Sequence, residues 1–324
     1  MISSCRYPRI VGNPSVVLVF LLSVWPSGVI AETADAVRPP VTAMAFDATG
    51  DSLLVGSQAG LRVFDWPQRQ LKKTLTVRLP TIHCLTFSPS HDRLAVGGGS
   101  PADFGGIEIF SWPDGDSIDR SDRHDDTVTD IVWLEKDTFV SASLDHSLLR
   151  RDLRNEGTFD PWVGHSRGVT SLCNLNDDKI LVSGGIDQNL RVWNSVSGEL
   201  LRSLNNHTQP VHALATRPNV GGLPMIASAG EDRTIRFWQP TIGRLVRFAR
   251  LESTPLCIAW TTDGSRIVAG CRDGKVRLID PDTAELTGTL PGIEDWAYAV
   301  AVHPHDGTVA VAGQNGQISR VKLP

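Results

Sequence analysis

Cysteine is scarce in this chain, with five among 324 residues. That density excludes a small disulfide scaffold, in which cross-links stand in for a core. Positive charge is not in excess either: 31 Lys and Arg face 36 Asp and Glu, for a net charge of −5. Nucleic-acid binding relies on clustered positive charge, so this balance argues against it. Long apolar runs are missing. The run Val16–Val24 lies between Pro14 and Pro26 and is far shorter than the roughly 20 residues of a spanning helix. The strong catalytic signatures are missing as well: no G-x-S-x-G, H-E-x-x-H, Walker loop or Cys-x-x-Cys occurs. What the chain does have is 41% hydrophobic residues, too many for disorder, with 29 Gly and 20 Pro. That mixture predicts short strands and frequent turns.

Residues 1–31 read as a segment apart from the globular chain. Arg6 and Arg9 make a basic start, the apolar run follows, small Ala31 closes the segment, and the first acidic residue is Glu32. This is the order of a secretory signal peptide. The expectation is cleavage after Ala31, a mature chain over 32–324, no lasting membrane insertion, and a periplasmic or extracellular location.

The rest of the chain repeats itself. Seven similar segments begin at 61, 107, 148, 190, 235, 276 and 318: LRVFDWP, IEIFSWP, LLRRDLR, LRVWNSV, IRFWQPT, VRLIDPD and ISRVKLP. Their fourth residues are Phe64, Phe110, Arg151, Trp193, Trp238, Ile279 and Val321, at intervals of 46, 41, 42, 45, 41 and 42. A period of about 40–45 residues with strand patterning marks four-stranded propeller blades. Each repeat opens on an apolar or alternating run such as VTAMAF (41–46) and turns at Gly, Asp or Pro, as in TTDGS (261–265). A second apolar strand follows, then a tight turn into the third. The expected fold is all-β: a seven-bladed propeller of four-stranded antiparallel blades. Residues 33–38 are expected to complete the last blade, since no sequence for its outer strand follows the seventh repeat. The glycine-rich stretch 97–106 reads as a flexible loop inserted in repeat two.

With these repeats the chain resembles the WD-repeat β-propellers. The fourth repeat carries the family's Gly164-His165 pair, Ser183, Asp187 and Trp193, with Asn194 in place of the final Asp. The fifth has His207, Ser228, Asp232 and Trp238. The third keeps His124, Ser141 and Asp145 but has Arg151 where Trp belongs, and the pattern decays in the other four. The resemblance implies that each His–Ser–Asp–Trp set is a buried hydrogen-bonded strut. It also implies a non-catalytic platform for protein or peptide partners, monomeric and without cofactor or metal.

Other chemistry has thin support in the sequence. The only polar candidates in the innermost strands for a central-channel enzyme, lactonase- or lyase-like, are His83, Asp130 and His212. A structural envelope component is a third reading. His303 and His305 read as a solvated turn, Trp66 and Trp112 as packing at blade edges. Cys257 and Cys271 read as buried free thiols on one face of adjacent strands. In the family, the loops between blades and the tight turns before the third strands share one face around the channel mouth. Carried over, that face collects Asp125, Arg167, Gln209, Glu231, Arg272 and Trp296. Both charges and a large aromatic suit a protein or peptide.

Overall fold

A computed structural model describes residues 38–155, 161–175, 179–218 and 221–324. The segment 1–31, read as a signal peptide, lies outside them. So does the strand expected to close the last blade, apart from Arg38.

The described residues form seven antiparallel sheets and no helix. Each sheet is one repeat, with its strands paired in chain order: blades span 41–75, 82–124, 128–163, 169–204, 211–250, 255–290 and 297–322. Six have four strands; the seventh has three among the described residues. The first strand of every blade contacts the first strand of the next, and that of blade seven contacts that of blade one. The ring is closed: this is a seven-bladed β-propeller.

The seven residues that set the repeat interval occupy one structural position. In each blade that residue pairs with the second strand's Leu53, Leu94, Phe139, Leu181, Ile226, Ile267 or Val309. There is no single central core. Seven apolar clusters each fill one blade-to-blade interface, as between blades four and five, where Cys173, Val182 and Val192 meet Val211, Ile226 and Trp238. Trp66 packs between blades one and seven and Trp112 between one and two, meeting Phe46 and Phe87 edge-on. Burying both faces of every sheet suits the continuous apolar second strands, such as ILVSGG (180–185), which are buried throughout.

Two expectations are corrected. The stretch 97–106 is not a loop; it lengthens a hairpin, pairing Arg93–Ser100 with Phe104–Ser111. Its glycines let the backbone close in: a Cβ on Gly98 would lie 1.8 Å from the Thr81 carbonyl oxygen. Cys257 and Cys271 do not share a face. A bulge at Leu256 pairs Cys257 with Gly270, so Cys271, next along, points the other way. Both are free thiols.

That bulge recurs in every blade, always at the second residue of the first strand: Thr42, His83, Thr129, Thr170, His212, Leu256 and Tyr298. Bulges re-aim the side chain they carry. Here they recur at one end of the seven first strands, which neighbour one another around the ring. Three tie a blade to the next: Thr42, Thr129 and Thr170 donate their hydroxyls to the carbonyls of Ile82, Val169 (2.8 Å) and Val211 (2.7 Å).

Candidate functional site at the channel mouth

The Ser–His–Asp sets have the residue types of a catalytic triad. In blade four Trp193 Nε1 donates to Ser183 Oγ (2.8 Å), Ser183 lies 2.7 Å from His165 Nε2, and His165 Nδ1 lies 2.9 Å from Asp187. Trp can only donate, and a carboxylate can only accept. The protons are therefore ordered in one direction: indole to Ser, Ser to His Nε2, His Nδ1–H to Asp. Asp187 also accepts the amides of Ser166 and Asn189. Burial opposes its ionisation, but the hydrogen bond from His165 and those two amides outweigh it and hold the carboxyl at about 2. Blade five repeats the chain through Trp238, Ser228, His207 and Asp232 at 2.8, 2.7 and 2.9 Å. Both hydroxyls are fully buried, so no substrate reaches them. In blade three His124 still bridges Asp145 (2.7 Å) and Ser141 (2.8 Å), while Arg151 turns to Asp119 (2.6 Å).

The channel candidates also have structural work. Asp130 accepts Ser171 Oγ (2.9 Å) and the Leu172 amide (2.8 Å) from the next blade, and Ser171 Oγ accepts the Leu214 amide (3.1 Å) from the one after. One carboxylate thus links blades three, four and five. Burial pushes it up to about 6 against those hydrogen bonds. His303 and His305 tie blade seven to the Gly50 and Ala48 carbonyls of blade one. Among the described residues, no group of His, Cys, Asp and Glu is placed to hold a metal.

Three of the six face residues are joined. Glu231, at the tight turn of blade five, forms a two-pronged ion pair with Arg272 of blade six (both contacts 2.7 Å). Arg272 holds its carboxyl below the usual range. The guanidinium of Arg272 lies 4.7 Å from the ring centroid of Trp296, which leads into blade seven. The chain of contacts continues at both ends through residues that the loop-based reading missed. His212 bonds Glu231 at 2.7 Å, and Trp296 meets Tyr298 edge-on, whose hydroxyl donates to Gln314 (2.6 Å). Beside Tyr298 and Gln314 opens a depression of about 440 Å³, lined further by Pro40, Thr42, Gln58, Thr81 and His83. Asp125, Arg167 and Gln209 stand apart. They are exposed on the loops before blades three, four and five, and no side-chain contact joins them to the cluster among the described residues.

A family model, the WD domain, G-beta repeat, matches residues 157–194, 198–239 and 249–280, from the outer strand of blade three to the third strand of blade six. Periodic tryptophan protein 2 of Arabidopsis thaliana is 24% identical over 284 residues, 86% of this chain and 31% of that protein. Protein FIZZY-RELATED 3 of the same plant is 31% identical over 199 residues, 60% of this chain and 41% of that protein. Nuclear distribution protein nudF of Aspergillus niger is 24% identical over 278 residues, 84% and 56% of the two chains. The chain belongs to the WD-repeat β-propeller family. It spans only part of each of these relatives, between 31% and 56% of their length.

As a WD-repeat propeller it departs from the family's polar pattern in an orderly way. Register places Leu251, Ala269 and Ile279 of blade six where blade five has His207, Ser228 and Trp238. In blade seven Ile293, Val311 and Val321 take those places. Both trios are buried within apolar clusters. Blades one and two put Val55 with Phe64, and Val96 with Phe110, at the Ser and Trp positions. In these four blades the Ser and Trp positions are exchanged together, so neither leaves the other stranded, which is the arrangement that can be neutral for stability. The one acid kept in blade six, Asp273, is instead gripped by the buried Arg277 through two 2.8 Å contacts.

Proposed function

We propose that this propeller is a non-catalytic platform that holds a protein or peptide partner on the face of its tight turns. The observation that carries this is the cluster His212–Glu231–Arg272–Trp296–Tyr298–Gln314, which crosses three blades next to an open depression. Trp296 is 41% exposed although its ring is already held against Arg272. A large aromatic fixed in place and left open to solvent suits an interface anchor. The ion pair beneath orients the guanidinium without hiding it. The His–Ser–Asp sets are closed struts, which leaves recognition rather than turnover as the use of this surface.

The reading includes export: residues 1–31 carry the order of a signal peptide. N-terminal sequencing of the exported protein then begins at Glu32, and a soluble chain still starting at Met1 would overturn this part. For the platform itself, the test is the paired variant Arg272→Glu with Trp296→Ala. Assayed against a partner recovered by affinity capture, it loses binding with an unchanged melting curve. Full retention of binding moves the interface elsewhere.

A further inference from the structure

We propose that the outer edge of blade five is a second docking site, which takes an extended acidic polypeptide segment as an added strand. Charge is the first ground. Between Lys179 and Leu251 the sequence has nine Lys and Arg against four Asp and Glu, in a chain of net charge −5. Three of the four acids are engaged: Asp187 and Asp232 by their histidines, Glu231 by Arg272. The positive charge gathers on the outer strand Arg244–Arg250, whose sequence RLVRFAR has no acid. Among the described residues, Arg244, Arg247 and Arg250 have neither an ion-pair nor a hydrogen-bond partner for their guanidinium groups. Arg202 joins them at the rim: its guanidinium lies against Gly243, and its Nε is buried without an acceptor.

The backbone is the second ground. This strand is the last in its sheet order, so one row of its N–H and C=O groups is unpaired along seven residues. Among the described residues, no other outer strand carries more than one unpaired cation along such an edge. The lysines of blade one are spent on the carbonyls of Asp51, Pro113 and Asp114. The outer strand of blade two, SIDRSDRH, mixes both signs and pairs Arg120 with Asp122. The outer strand of blade four has one Arg and that of blade six has none.

Phe248 is the third ground. It sits mid-strand, 52% exposed, with the Arg236 guanidinium 5.4 Å from its ring centroid. Register sets Arg244 and Arg247 on one face of the strand and Phe248, with Arg250 at the end, on the other. An added strand therefore meets cations mainly on one side and an apolar platform on the other, while its backbone completes the ladder. The matching segment alternates Asp or Glu with apolar residues. A lipid surface or a phosphate backbone would use the charge but leave the edge amides and carbonyls unused.

The probe is a fluorescein-labelled peptide of Glu-Val repeats, titrated against the full chain by fluorescence anisotropy in about 0.1 M salt. It should bind the parent, and at least tenfold more weakly the triple variant Arg244→Glu, Arg247→Glu, Arg250→Glu. A milder triple variant with Gln at the same positions serves if charge reversal changes the melting curve. Methylating alternate peptide amides should abolish binding, because strand addition needs those N–H groups. The Arg272→Glu, Trp296→Ala pair should bind the probe like the parent, so this site and the channel-mouth site fail independently. Equal binding by parent and triple variants, or by the methylated peptide, would overturn the proposal. So would tighter binding of an oligo-dT strand or of phosphatidylserine vesicles than of the peptide.

Discussion

Replacing Ser183 by Val strands two buried groups at once: the Nε1–H of Trp193 and the Nε2 of His165, which lie 2.8 and 2.7 Å from the Ser183 oxygen. Each orphan costs about 1–3 kcal/mol, so the single substitution should cost about 2–6 kcal/mol. With an m-value near 3 kcal/mol/M, the urea midpoint falls by about 1–2 M. The other blades supply the repair. Val with Phe already occupies these two positions in blades one and two, and Leu takes the His position in blade six. The triple variant His165→Leu, Ser183→Val, Trp193→Phe removes every orphan, and Val fills part of the space that Phe leaves. Asp187 keeps the amides of Ser166 and Asn189, and Arg191 stands 3.6 Å away, as Arg277 stands to Asp273 in blade six. The triple should therefore lie at least about 2 kcal/mol above the sum of the three single losses, a coupling typical of residues in one network. Urea unfolding followed by tryptophan fluorescence and by circular dichroism gives all four values. Losses that add would refute the strut account.

Acid and neutral pH should act on different carboxylates. Asp187, ordinarily near 3.8 and held at about 2, gives stability that is complete above its unfolded value and lost as pH falls toward 2, about 2 kcal/mol in all. Asp187→Asn should flatten that acid limb of a stability-versus-pH series. Asp130 runs the other way: raised from 3.8 to about 6, it favours the folded state when protonated and withdraws stability as pH rises through that interval. Asp130→Asn should therefore lessen the decline between about pH 4 and 6, and an unchanged slope would count against its burial. Gly98→Ala should cost about 1–3 kcal/mol by thermal melting, because its Cβ has no room beside the Thr81 carbonyl. In the native protein Cys84, Cys173, Cys257 and Cys271, all buried, should resist a thiol reagent that labels them fully in denaturant.

The repeat was legible because the third strand of each blade brings a residue, apolar in six of the seven, back to one register position. Even Arg151 fits the interval while breaking the pattern of residue types. The loss of His, Ser and Trp in the outer blades reads as decay when residues are compared one at a time. Register shows it as coordinated exchange, since Leu251, Ala269 and Ile279 meet only in the fold. The hairpin at 97–106 was misread because glycine marks turns in a single strand's sequence, whereas here it allows close backbone approach between strands. At the channel mouth, Glu231, Arg272 and Trp296 were reachable from loop positions. Their bonding was not, because it depends on neighbouring blades. Tyr298 went unnoticed as an apolar strand residue, although it occupies the same bulge position as His83 and His212. Those two histidines were the available signal.

The central claim, that recognition occupies the tight-turn face, is tested most directly by hydrogen exchange of the propeller with and without its captured partner. Binding should slow exchange at the turns around Glu231 and Arg272, along 296–298 and near Gln314, and leave the rim of blades two and three unchanged. Protection confined to the rim or to the opposite face, with the Trp296 region exchanging as in the free protein, would contradict it.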